Sequence, residues 1–327
     1  MRKILSIFLV ILPLLSVAQF APPAGQEGTT AMHADSSAFV GWATGIVVEH
    51  GPVNITNPDA GMTGGSPFVD ENALGFPDGT MGVVCLGDGG SATLTFDSPI
   101  YNGPGPDFAV FENGMENAAQ PGAYFLELGF VEVSSDGVNF FRFPAVSNVP
   151  TETQLGGFDC IDPRLIHNLA SKYVAMYGTP FDLDEVEDNP LLDKNKITHV
   201  RIIDVVGNID PEYATYDSEG HAVNDPWPTP FNSCGFDLDA VGVIHDLKHY
   251  GVAEPSMEVL TVYPNPAHDM LKVKAENVLN ISVYTLTGQQ MLWSDGSSID
   301  ISMLPNGIYM VRVVTEGKTL VEKFIKN

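Results

Sequence analysis

The chain has 327 residues, 44% of them hydrophobic, with 32 Gly, 24 Pro and 3 Cys. It carries 41 acidic residues against 15 Lys plus Arg, a formal net charge of −26. That balance argues against nucleic acid as a partner, because phosphate contacts need Lys and Arg. It suits solubility and hard divalent cations, which take carboxylate oxygens. The length predicts two or three domains, and the scatter of Gly and Pro between short apolar runs predicts many turns and strands.

In chain order, Arg2 and Lys3 precede an apolar run from Ile4 to Leu15. Ser16-Val17-Ala18 then offers small residues for cleavage after Ala18. This is the three-part pattern of a secretory signal over residues 1–18, and the run is shorter than the ~20 residues of a membrane span. No later segment is long and apolar enough to cross a bilayer, so no transmembrane segment is expected in a mature chain starting at Gln19.

Residues 19–250 read as one β-rich body. Ala92 to Phe96 alternates apolar and polar residues, Asp107 to Phe111 is an apolar run, and Leu126 to Val133 leads through Ser134-Ser135-Asp136-Gly137 into Val138 to Phe143. Strand, Asp-Gly turn and strand make a hairpin signal. Ile197 to Val206 and Gly235 to Ile244 are further strands. One helix is expected over 163–175, with Asp162 as its cap, Pro163 at its first position and Leu165, Leu169 and Val174 at near-helical spacing. A second helical turn is expected at Asp182–Val186. The fold class is therefore all-β, a β-sandwich with a short helical insertion.

The hairpin VEVSSDGVNFFRF, residues 131–143, resembles that of discoidin or galactose-binding-like jelly rolls. Together with DFAVFENG, GTPFDL, THVRIIDVVG, NDPWPTPF and GFDLDAVGVI it is also similar to a family of bacterial secreted surface proteins. The resemblance implies a jelly-roll architecture and no particular activity.

A small-and-polar linker at 251–257 separates the body from a new pattern at 258–327. Val311-Arg312-Val313 and Leu271-Lys272-Val273-Lys274 alternate as in half-buried strands. Turn signals fall at Pro264-Asn265-Pro266, Thr287-Gly288, Asp295-Gly296, Pro305-Asn306-Gly307 and Glu316-Gly317. A small Ig-like β-sandwich is expected. Tyr263-Pro264-Asn265-Pro266, Val283-Tyr284 with Gly288, Leu304 to Tyr309 and Lys323-Phe324-Ile325-Lys326 resemble, in order, the type A sorting domain of the Bacteroidota type IX secretion system. The resemblance implies passage through the periplasm and outer membrane, the secretion machinery as partner, and release or attachment at the cell surface.

Five acids are embedded in apolar strands: Asp107, Glu112, Asp204, Asp237 and Asp239. A buried carboxylate is costly unless paired or metal-bound, and Asp237 and Asp239, two apart, share one face of a strand. A structural Ca²⁺ is the cofactor these acids suit; the alternative is that they cap turns or face solvent. Trp227, in a Pro-rich loop, with Tyr213 and Tyr216, is the candidate site for a glycan, since flat rings offer an apolar face and a polar handle; the alternative is a ring that plugs the end of the sandwich. Trp42 can serve either as core or as contact. His245 and His249, four apart, lack the context of a zinc motif and are expected to be solvated. Cys160 and Cys234 lie in turn-like segments and can pair, whereas Cys85 lies in an apolar run. No G-x-S-x-G, Walker or dinucleotide-binding pattern occurs. The expected function is a secreted or surface-attached, non-catalytic binding module. The alternative is a glycoside hydrolase-like enzyme with an unrecognised carboxylate site.

Overall fold

Phe108–Glu112 is buried at every position, the mark of a strand covered on both faces. In the computed structural model it is central to a six-stranded sheet. Tyr177–Phe181 pairs on one side and Asp237–Val243 on the other, with Met32–His33 and Gly41–Trp42 beyond them and Val84–Cys85 also on the 237–243 strand. The structure describes residues 20–60, 69–229, 235–249, 260–275, 277–315 and 319–327. The secretory segment, the linker and Cys234 lie outside them.

Phe108 and Val110 join one core cluster with Leu94, Val131, Val133, Val200 and Ile202 of a second six-stranded sheet. Ala109 and Phe111, one residue out of phase, join a second cluster with Ala34, Ala240, Phe39 and Trp42. Each fully buried Val, Leu, Ile or Phe side chain contributes about 1.5–3 kcal/mol of burial, so the period-two pattern holds a core on both faces of one strand. Trp42 is half-buried and packs against this cluster, its ring 5.5 Å from that of Phe111.

The second sheet orders Phe141–Arg142, Gly129–Ser134, Ile197–Asp204, Ser91–Ile100 and Gly45–Glu49, with Leu169–Ala170 also on the 129–134 strand. Its first pair is the expected Asp-Gly hairpin. Asp136 accepts from the N–H groups of Val138 and Asn139. Gly137 sits at φ 74°, and a Cβ there would lie 2.7 Å from the His199 ring. Glu132 is opposite both Arg142 and Arg201 and forms ion pairs with both. The two sheets make the expected all-β sandwich.

The expected helix over 163–175 does not form. Asp162 does cap Pro163–Leu165 by accepting from Arg164 N–H, but that turn is a single 3₁₀ turn. Ile166–His167 then pairs with Val146–Ser147, and Leu169–Ala170 pairs with the 129–134 strand. Asn168 and Ser171 take left-handed φ values of 49° and 61°, which an α-helix does not contain. The buried Lys172 ammonium donates to the carbonyls of Pro163 and Ile166, so a side chain satisfies groups that a helix would satisfy with its own backbone. The turn expected at Asp182–Val186 is present as the 3₁₀ turn Leu183–Glu185.

Residues 251–327 form a separate unit. Met270–Lys274 alternates exposed and buried positions as its sequence predicts. A three-stranded sheet (Thr261–Tyr263, Met270–Lys274, Ser298–Asp300) and a four-stranded sheet (Gln290–Asp295, Val278–Thr285, Gly307–Thr315, Thr319–Lys326) supply its core. The motif residues are its fasteners. Asn265 Oδ1 accepts from Ile325 N–H at 2.9 Å. Tyr309 donates to Pro305 O at 2.9 Å and stacks on Phe324.

Candidate ligand cavity

Residue by residue, the acids singled out in the sequence are fasteners too. Asp107, fully buried, accepts from Gly103 N–H at 2.7 Å, Leu183 N–H at 2.8 Å and pairs with His245 Nδ1 at 2.8 Å. Asp204 accepts from Gly89 N–H at 2.8 Å and Phe236 N–H at 2.7 Å. Asp239 holds the N–H groups of Asp78 and Gly79 at 3.0 and 2.9 Å. Glu112 accepts from Gly114 N–H and the Ser171 hydroxyl. Each of these four ties its strand to a distant loop. The 237–243 strand carries a register shift between Leu238 and Ala240, and Asp237 and Asp239 go to different partners. Among the described residues, no group of three or more His, Cys, Asp or Glu is arranged to hold a metal.

His245 is not a solvated histidine but the partner of Asp107, and His249 pairs with Asp246 at 2.7 Å. Trp227 is only half-buried, yet its indole N–H donates to the buried Asp88 at 3.0 Å. That hydrogen bond fastens the loop to the sandwich. Tyr213 donates to Glu212, and Tyr216 is exposed; no described ring contact joins either to Trp227.

A cavity of about 550 Å³ opens elsewhere in the body. That is within the ~300–1,000 Å³ of small-molecule sites. Met81, Met115, Phe125 and Phe158 give it apolar walls, and Asn113, Glu116, Glu127 and Asp237 bring polar groups. Three elements build it. The 108–112 strand ends in Asn113-Gly114, where the chain turns into Met115–Glu116, paired with Tyr124–Phe125. The 237–243 strand brings Asp237 beside Asn113, whose amide donates to Asp237 Oδ2 at 3.3 Å. The loop through Phe158 and Cys160 closes one side, and Phe158 is 66% exposed. Cys160 lines the cavity, with Asn117 Nδ2 3.7 Å from its sulfur.

Its electrostatics are unusual for a surface so acidic overall. Asp237 is 5% exposed and Glu127 4% exposed. Burial pushes Asp237 up to about 7 against the hydrogen bonds from Asn113 and Cys85. Burial, then the charges of Asp237 and Glu112, push Glu127 well above the ordinary range. Behind them Glu112 is raised well above the ordinary range, first by burial. Among the described residues, Asp237 Oδ1 and Glu112 Oε1 are buried with no hydrogen-bond donor. Burial thus favours the neutral form of all three carboxyls, and a protonated carboxyl can donate as well as accept.

Glu127 lies in Leu126-Glu127-Leu128, and the rule that marks Glu112 as an acid in an apolar run marks it equally. The other wall residues are ordinary in sequence and are brought together only by the fold.

Residues 261–327 match the family described as the secretion system C-terminal sorting domain. A stretch of 71 residues is 37% identical to beta-agarase D of Zobellia galactanivorans, covering 21% of this chain and 15% of that protein. The chain thus spans a small fraction of the relative it matches. The sorting domain indicates export by the type IX secretion system and a secreted or cell-surface location. Among the described residues, no helix is long and apolar enough to cross a membrane.

Proposed function

We propose that this chain is a secreted or surface-attached, non-catalytic binding protein whose ligand, a glycan, occupies the cavity floored by Glu127 and Asp237. The observation that carries the reading is the combination in one cavity of an exposed ring, Phe158, a half-buried ring, Phe125, and buried carboxyls. A sugar lays its C–H face on the ring of Phe158, and its hydroxyls exchange hydrogen bonds with the carboxyls and Asn113. The 71-residue match to the protein named beta-agarase D is in keeping with a glycan-related role.

The hydrolase alternative has one observation in its favour: two carboxyls share the cavity. Glycoside hydrolysis, however, uses one carboxyl as acid and the other as ionised base or nucleophile. Here burial raises both, and no Lys, Arg or His is among the described lining residues to hold one of them ionised. The pair is suited to hold a ligand rather than to divide acid and base roles.

Calcium fits these acids poorly. Four of the five candidate acids already accept two or more hydrogen bonds each. Thermal unfolding should therefore be the same with EDTA as with added Ca²⁺, to within about 1 °C. A ligand specific to the folded state raises the midpoint, so a rise of several degrees with Ca²⁺ would restore the metal role.

Screening wild type and Phe158→Ala against a panel of immobilised glycans tests the cavity. Loss of the ring should weaken binding at least about tenfold, the ~1.4 kcal/mol lower range of an aromatic anchor. Glycan binding equal in the two proteins, or absent from wild type, would sink the reading.

A further inference from the structure

The chemistry of the cavity restricts the ligand further, given the reading that the cavity is the ligand site. Its described polar lining consists of three acids, Glu116, Glu127 and Asp237, with Asn113 and Asn117. Asn113 already donates to Asp237 and to the Thr80 carbonyl. Glu116 takes Gly122 N–H and Glu127 takes the Thr229 hydroxyl. Asp237 is held by the Asn113 amide at Oδ2 and by the Cys85 thiol, yet among the described residues its Oδ1 takes no donor, although the residue is more than nine-tenths buried. A buried acceptor without a donor is destabilising by about 1–3 kcal/mol, and more when charged. Protonation of the carboxyl removes the charge but supplies no partner. A ligand relieves it better by bringing a donor and a positive charge together, because a charge-assisted hydrogen bond also offsets the burial of the carboxylate.

We propose that the ligand carries a protonated amine on a ring with an apolar face, as an unacetylated amino sugar does. The ammonium points to Asp237 and Glu127, and the ring lies against Phe125 and Phe158. Aromatic faces attract cations, and the negative surface of the body concentrates them at the cavity mouth. A neutral sugar supplies donors without charge. A uronate or sulfated sugar sets like charge against three acids, which opposes binding. Proton balance follows directly. The ligand ammonium keeps its proton, the Asp237 carboxyl becomes carboxylate as the ion pair forms, and its proton goes to solvent.

The test is calorimetric titration of the exported protein at about pH 6, in two buffers of different ionisation enthalpy, with glucosamine, glucose, glucuronate and cyclohexylammonium. Glucosamine should bind at least about tenfold more tightly than glucose, with proton release into the buffer, and glucuronate should not bind. Asp237→Asn should bring glucosamine and glucose to within about threefold of each other. Cyclohexylammonium binding as tightly as glucosamine would support the amine and identify it, rather than the sugar, as what is recognised. Equal binding of glucose and glucosamine, both lost in Phe158→Ala, would overturn the amine while leaving the cavity as the ligand site. Failure of all four probes would also overturn the amine, and the immobilised-glycan screen then decides the cavity separately.

Discussion

Asp107→Ala should lower the stability of the body by about 3 kcal/mol. For a domain of this size that is about 6–12 °C in thermal midpoint. The carboxylate joins three places far apart in sequence: the turn at Gly103, the 3₁₀ turn at Leu183 and His245 after the 237–243 strand. Truncation leaves two backbone N–H groups and an imidazole without their acceptor, where the carboxylate itself was fully buried. Each orphaned group is destabilising, and three together exceed the loss from an ordinary surface substitution. Chemical denaturation of wild type and variant measures the difference. A loss below about 1 kcal/mol would show that the loops carry their own order and do not depend on this carboxylate.

Asp237→Asn should act in the opposite direction. Burial holds Asp237 at about 7, against an ordinary 3.8. Between those values the folded protein keeps a proton that the unfolded chain releases. The stability linked to this proton is therefore complete below about pH 4 and is lost as pH rises through about 7. The neutral amide of Asn has no such dependence. At about pH 8 the variant should be more stable than wild type by about 2–4 kcal/mol, and the gain should shrink towards about pH 4. Glu127 and Glu112 share the effect, because burial raises both and the charge of Asp237 adds to it. A variant that is stabilised and yet binds ligand less well is the pattern of a site kept at some cost to stability. A variant less stable than wild type at pH 8 would contradict the raised value.

Local chemistry was the legible part of the sequence. The Asp-Gly hairpin, the apolar run Asp107 to Phe111, observed as the buried strand Phe108–Glu112, and the alternation in Leu271 to Lys274, within the strand Met270–Lys274, appear where their patterns place them. The tail was legible because its motif residues are its own fasteners, as Asn265 and Tyr309 show. The 163–175 segment misled because an Asp-Pro start and near-helical Leu spacing say nothing of a buried Lys172 that captures the carbonyls of Pro163 and Ile166. The embedded acids were recognised as unusual, but a sequence cannot say whether a carboxylate meets a metal or three N–H groups. Asp107 meets the latter. Trp227 offered the expected ring, and its tether to Asp88, 139 positions away, is a tertiary fact. The cavity was hidden for the same reason. Its walls come from Met81, Asn113, Met115 to Ala118, Phe125, Glu127, Phe158 and Asp237, which no local pattern connects.

Hydrogen–deuterium exchange of the exported protein, with and without a glycan selected by the screen, tests the ligand cavity most directly. Binding at the cavity should slow exchange at residues 113–118 and 158–160 and leave residues 213–227 unchanged. Protection confined to 213–227 would move the site to the Trp227 loop and contradict the assignment of Glu127 and Asp237 as its floor.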